Sequence, residues 1–95
     1  MHERVFQKKV ISALKNSFRE CLVLKTDSSY IQGCPDLLVL YKNKWAALEV
    51  KNSISASYQP NQKYYIDLMN SMSYAAVIHP DNIWDIMMDL NIFFA

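Results

Sequence analysis

The chain has 95 residues, 52% of them hydrophobic and 20% charged, and a formal net charge of +1. That length allows one domain with a core of its own and leaves no room for a second. Near-neutral charge excludes nucleic-acid binding by bulk electrostatics alone, no run approaches the roughly 18 apolar residues of a membrane span, and two cysteines without CxxC spacing exclude a zinc ribbon.

In chain order, His2 to about Glu20 carries Val5, Phe6, Val10, Ile11, Leu14 and Phe18 at helical spacing, which predicts an amphipathic first helix. Cys21 to Lys25 is a short apolar run suited to a first strand, and Thr26 to Gln32 is polar and loop-like. Gly33 is the single glycine of the chain, and its place before Pro35-Asp36 predicts a backbone conformation or a close approach that a side chain would obstruct. Pro35 lacks an amide donor and belongs at a strand start. Asp36 to Tyr41 then reads as a buried strand, Lys42-Asn43-Lys44 as a turn, and Trp45 to Lys51 as the returning strand.

Asn52 to Ser57 is a serine-rich loop. Pro60 suits the first turn of a second helix carrying Tyr64, Tyr65, Leu68, Met69 and Met72, which places Gln62 in that first turn. Tyr74 to His79 predicts a fourth strand, and Asp81 or Asn82 is placed to cap a last helix with Ile83, Ile86, Met87 and Leu90. The expected fold is α/β: order α-β-β-β-α-β-α, a three-stranded meander whose third strand pairs parallel with a fourth through a helical crossover, flanked by helices.

The chemistry concentrates in Asp36, Glu49 and Lys51. Two carboxylates can hold a hard divalent cation, and a lysine beside them can position a water, the minimum for metal-assisted phosphodiester hydrolysis. Alternation along a strand puts Glu49 and Lys51 on one face. Asp36 joins them when the hairpin has an even number of loop residues, for example Asn43-Lys44, which sets Asp36 opposite Lys51, or when a bulge repairs the register. Each residue also has a plainer reading: Glu49 and Lys51 as a same-face ion pair, Asp36 closing a turn, Gln62 as a surface residue, Glu3 complementing a helix dipole. His2 and His79 read as a terminal and a strand-end residue, not ligands, and Cys21 and Cys34 as small core residues.

Charge is unevenly spread. Up to Lys51 the chain has nine basic and five acidic residues, net +4; after it, one basic and four acidic, net −3. A basic half carrying the candidate site suits one-sided contact with nucleic acid, although Lys8, Lys9, Lys15 and Arg19 equally describe the wet face of a helix. The second half is rich in large apolar groups, among them Tyr58, Tyr64, Tyr65, Met69, Met72, Tyr74, Trp84, Met87, Met88, Phe93 and Phe94, which predicts an exposed patch and a homodimer.

Gly33-Cys34-Pro35-Asp36 with Glu49-Val50-Lys51 resembles the signature of the PD-(D/E)xK nuclease superfamily. With Glu3 on the first helix, Gln7 one turn on, Gln62 opening the second helix, and the closing strand and helix, the chain is similar over nearly its whole length, 1–95, to the VRR-NUC family. The resemblance implies a restriction-endonuclease-like sandwich of minimal phage type. It implies one or two Mg²⁺ or Mn²⁺ ions held by Asp36, Glu49 and the Val50 carbonyl, with Glu3 completing the outer side. Lys51 and Gln62 would act on the water, the phosphate or the ligands, with Gln7 behind them. The implied activity is a structure-selective DNA endonuclease working on Holliday-junction or other branched DNA as a homodimer. No apolar leader is evident, so the expected location is the cytoplasm, of the host cell if phage-encoded. The different-class alternative is a catalytically silent DNA- or protein-binding module of the same fold; an RNA-directed nuclease is a third.

Overall fold

The computed structural model describes residues 2–95. Its elements are α1 (Glu3–Ser17), β1 (Leu22–Lys25), β2 (Leu37–Tyr41), β3 (Lys44–Val50), α2 (Gln62–Met72), β4 (Tyr74–Ile78) and α3 (Ile83–Phe93). The four strands form one sheet in the order β1-β2-β3-β4, antiparallel through the first three and parallel between β3 and β4. This is the order and the mixed sheet expected from the sequence.

One face of the sheet carries the core. Val23, Leu37, Val39, Ala46, Leu48, Val50, Ala76 and Ile78 pack there against Phe6, Val10 and Leu14 of α1 and Ile83, Ile86, Met87 and Leu90 of α3. The helical stripe read from α1 is therefore its buried face, except that Val5 is exposed and Ile11 only half-buried. Helix α1 stops at Ser17, not near Glu20; Phe18 leaves the helical backbone and its ring packs against Tyr41 and Phe94, with centroids 5.5 and 5.2 Å away. Those rings close the hairpin end of the core, where Lys44 Nζ donates to the carbonyls of Phe93 (2.9 Å) and Ala95 (3.2 Å) behind α3. A cation at the last carbonyls of a helix complements its dipole.

Strand β3 is buried on both faces from Ala46 to Val50. Trp45, Ala47 and Glu49 alternate away from the core and turn toward α2, which crosses over β3 and β4. Coverage on that side stops there. Leu22 and Leu24 of the edge strand β1 are exposed, and their partners Leu40 and Leu38 are half-buried, leaving an open leucine face over β1 and β2.

Three local expectations need correcting. The hairpin loop is Lys42-Asn43 rather than Asn43-Lys44, because Tyr41 pairs with Lys44 and Lys42 takes a left-handed φ of 56°. The primed turns that match strand twist require a positive φ at their first central residue. Pro60 lies before α2, not in its first turn; Asn61 occupies the N-cap position with φ 70°. Asn82 starts α3 without capping it: its Oδ1 accepts from the His79 amide (2.8 Å) and its Nδ2 donates to the Val77 carbonyl (2.9 Å), tying the helix to the end of β4.

Candidate functional site

The site forms where β2 begins, β3 ends and α2 starts. Gly33 has φ 91°, and a Cβ there would lie 2.7 Å from both the Asn61 carbonyl carbon and the Pro60 oxygen. Both reasons anticipated for a glycine at this position hold. The chain passes so close to the turn before α2 that the two loops act as one unit. Pro35 is fully buried, its carbonyl accepts from Thr26 Oγ1 (2.5 Å), and Asp36 follows immediately before β2.

Extending the β2–β3 register by one pair places Asp36 opposite Glu49, not Lys51. The loop remains even-numbered, so Asp36, Glu49 and Lys51 still share a face. Asp36 Oδ2 accepts the Val50 amide at 2.8 Å and so prolongs the ladder with a side chain. Val50 turns its own side chain into the core.

Glu49 is only 2% exposed. Its Oε2 accepts from Gln62 Nε2 at 2.9 Å and lies 3.7 Å from Lys51 Nζ. Its Oε1 is buried and no donor group reaches it; a hydrogen bond between the Glu49 and Asp36 carboxyls requires a proton on one of them. Burial, and then the neighbouring Asp36 charge, push the Glu49 carboxyl up to about 8; Lys51 opposes that rise, while hydrogen bonding to Asp36 and the charge of Glu3 add to it. Burial beside a second carboxylate disfavours the charged form of Glu49, and a cation at its unpaired oxygen would relieve that.

Gln62 is the hub. As the first residue of α2, it accepts at Oε1 from Lys51 Nζ (2.9 Å) and from the Gln59 amide (2.7 Å), while its Nε2 serves Glu49. The two donors at one end and the carboxylate at the other determine which way the amide faces. Lys51 Nζ also donates to the Ser57 carbonyl (3.0 Å) and sits 5.5 Å from the centre of the Tyr58 ring. Lys51 is thus held by the loop that follows it, an arrangement the serine-rich sequence did not announce; an aromatic residue ahead of Gln-Pro was its one visible signal.

Around these groups lies an open cleft of about 630 Å³, lined also by Glu3, Ser28, Gln32, Gly33 and Cys34 and by Ala56, Ser57 and Gln59 of the loop before α2. Glu3 is exposed at the start of α1 and reaches the cleft; Gln7 is half-buried and does not line it. Among the described residues no three His, Cys, Asp or Glu side chains gather as a metal-binding group. The close acidic pair is Asp36 and Glu49, with Glu3 farther out on the wall. His79 uses Nδ1 to accept from the Asp81 amide (3.2 Å), and His2 precedes α1; neither lines the cleft.

The donor set fits a hard divalent cation. A buried carboxylate oxygen with no partner, next to a second carboxylate that has already committed one oxygen to the backbone, is an incomplete arrangement that Mg²⁺ or Mn²⁺ would complete with oxygen ligands. In comparisons with protein families, curated proteins and solved structures, no family model matches the chain and no significant match is found among the proteins or the structures.

Proposed function

We propose that this protein is a divalent-metal-dependent DNA endonuclease of the PD-(D/E)xK type, close in pattern to VRR-NUC, that acts on branched or junction DNA in the cytoplasm. The observation that carries the reading is the convergence of Asp36, Glu49, Lys51 and Gln62 on one cleft, with Glu49 Oε1 buried and unpaired. Asp36 and Glu49 would hold Mg²⁺ or Mn²⁺, the Val50 carbonyl would add a neutral oxygen, and Glu3 would face the outer side or a second ion. Such an ion offsets charge on a phosphodiester and lowers the pKa of a bound water. Lys51, tethered by Gln62 and Ser57, presents a fixed positive charge that orients the attacking water or offsets charge developing on the phosphate. Gln62 holds Lys51 and Glu49 in register with each other, so neither has to reorganise during the reaction.

The test is cleavage of end-labelled four-way junction, flap, duplex and single-stranded DNA, and of RNA, with Mg²⁺, Mn²⁺ or chelator. Asp36→Asn, Glu49→Gln and Lys51→Ala are each expected to lower cutting by at least about 100-fold, the scale of removing one electrostatic element from a catalytic site, with circular dichroism unchanged. Activity surviving in all three variants places the chemistry elsewhere. DNA binding in chelator without cutting under any condition supports the silent module, and cutting of RNA alone supports the RNA-directed reading.

The proposed partner copy docks through the open leucine face of β1 and β2. Leu22 and Leu24 lie on an edge strand whose outer backbone groups are free to pair, and an apolar edge of this kind is normally covered. Tyr64, Met72, Trp84 and Met88 are exposed as the composition suggested, whereas Met87 and Phe94 belong to the core. Sedimentation is expected to give about twice the 11.1 kDa chain mass for the wild type and the single-chain mass for Leu22→Glu/Leu24→Glu. A wild type that stays monomeric at high micromolar concentration removes the dimer from the proposal.

A further inference from the structure

The two loops that wall the cleft each lift an aromatic ring out of the protein. Tyr30, between the cleft-lining Ser28 and Gln32, is 84% exposed; Tyr58, between the cleft-lining Ser57 and Gln59, is 53% exposed. Neither loop is slack at its ring. Asp27 Oδ1 accepts from the Ser29 amide (2.9 Å) and the Ser29 hydroxyl (2.5 Å), and the Asp27 carbonyl accepts from the Tyr30 amide (3.2 Å). This tight turn holds up the backbone that carries Tyr30. Tyr58 is steadied by the Lys51 ammonium 5.5 Å from its ring centre, and its loop is anchored where the Ser57 carbonyl accepts from the same ammonium.

We propose that Tyr30 and Tyr58 are stacking platforms for unpaired bases, and that the cleft therefore takes a nucleic-acid strand with unstacked nucleotides at the cut in preference to continuous duplex. This rests on reading the cleft as a nuclease site. Every base has a π-face that a tyrosine ring can cover, whatever the sequence, whereas in a duplex those faces are occupied by neighbouring bases. The polar cleft beside the loops would take the phosphate, and the rings would stack on bases next to it. Isolated exposed tyrosines are ordinary surface residues; these two each stand between residues that line the same cleft, and each loop is pinned by polar bonds that add little to the core. Selectivity for branches and single strands then comes from base stacking at the rim, without base-edge readout.

Binding of fluorescein-labelled single-stranded and duplex DNA of equal length is measured by anisotropy in chelator, for wild type, Tyr30→Ala and Tyr30→Phe. Loss of one stacking ring is worth about 1–3 kcal/mol per base. Tyr30→Ala is accordingly expected to weaken single-strand binding about 5- to 150-fold and duplex binding less than about twofold, while Tyr30→Phe stays at wild-type affinity. A 2-aminopurine in the strand should lose fluorescence on binding wild type and Tyr30→Phe but not Tyr30→Ala. Equal losses on both DNAs, no loss on either, or no wild-type preference for the single strand would each overturn the inference. The nuclease reading fails separately: a wild type that binds with this preference but never cuts leaves the platforms standing. One that cuts single strands and duplex in the same ratio with or without the Tyr30 ring leaves the nuclease and removes the platforms.

Discussion

Glu49→Gln is expected to make the metal-free protein more stable at pH 8 while removing its response to divalent metal. In the wild type, burial and the Asp36 charge hold the Glu49 carboxyl at about 8 against an ordinary 4.5, with Lys51 offsetting only part of the rise. Below the ordinary value both folded and unfolded chains carry the proton, and Glu49 costs the fold nothing. Between the two values the unfolded chain releases the proton and the folded chain keeps it, so stability falls as pH rises and the loss is complete near 8. At about 1.4 kcal/mol for each pH unit between 4.5 and 8, the loss is at most roughly 5 kcal/mol, and half of that already moves Tm by about 10 °C for a domain of this size. Glutamine copies the protonated acid, can still bond to Gln62, and does not titrate. In chelator, the Tm of Glu49→Gln should match wild type at pH 5 and exceed it at pH 8. Mg²⁺ or Mn²⁺ should raise the wild-type Tm increasingly with pH, because the cation competes with the proton for the same oxygens, and should hardly move Glu49→Gln. Parallel wild-type and variant curves in chelator would mean that Glu49 is ionised there without a cation, and the case for a metal at its unpaired oxygen would lose its main support.

Local patterning was enough to order the elements: Phe6, Val10 and Leu14 recur at helical spacing on α1, and Leu37 to Tyr41 is an unbroken apolar run that becomes β2. Parity was legible too. Any even hairpin loop puts Asp36, Glu49 and Lys51 on one face, so the shared face survived although the loop proved to be Lys42-Asn43. The exact pairing was not legible, because Lys42-Asn43 and Asn43-Lys44 satisfy the same alternation and differ only in which residue accepts a positive φ. The polar network was half visible. Gln62 could be placed at the start of α2, but its three hydrogen bonds depend on the Gly33 loop meeting the Pro60-Asn61 turn, a contact across 27 positions of sequence. Asn82 looked like a helix cap by residue type; its amide instead serves the end of β4, because the short turn from His79 brings two backbone groups within its reach.

That long-range contact makes Gly33→Ala the substitution with the largest expected effect on the fold outside the core. Two penalties add. At φ 91° any L side chain is strained, and the new Cβ would stand 2.7 Å from backbone atoms of both Pro60 and Asn61, which cannot swing aside as a flexible side chain can. Strain of this kind and overpacking against a rigid neighbour each cost about 1–3 kcal/mol, a large share of the roughly 5–15 kcal/mol that holds a domain together. Tm should fall by more than about 10 °C. Relief can come only by parting the two loops, which carries the start of α2 away from β3 and stretches the bonds from Gln62 to Lys51 and Glu49. Cleavage at a temperature where the variant is still folded should therefore fall as well, whereas Cys34→Ala, one residue on and half-buried, should change both little. Adding Asn61→Gly to Gly33→Ala removes the Asn61 Cβ that would lie 2.8 Å from the new methyl and relaxes the positive φ at 61, so part of the lost stability should return. A Gly33→Ala protein with wild-type stability would show that the two loops are not held together, and the placement of Gln62 between Lys51 and Glu49 would lose its structural cause.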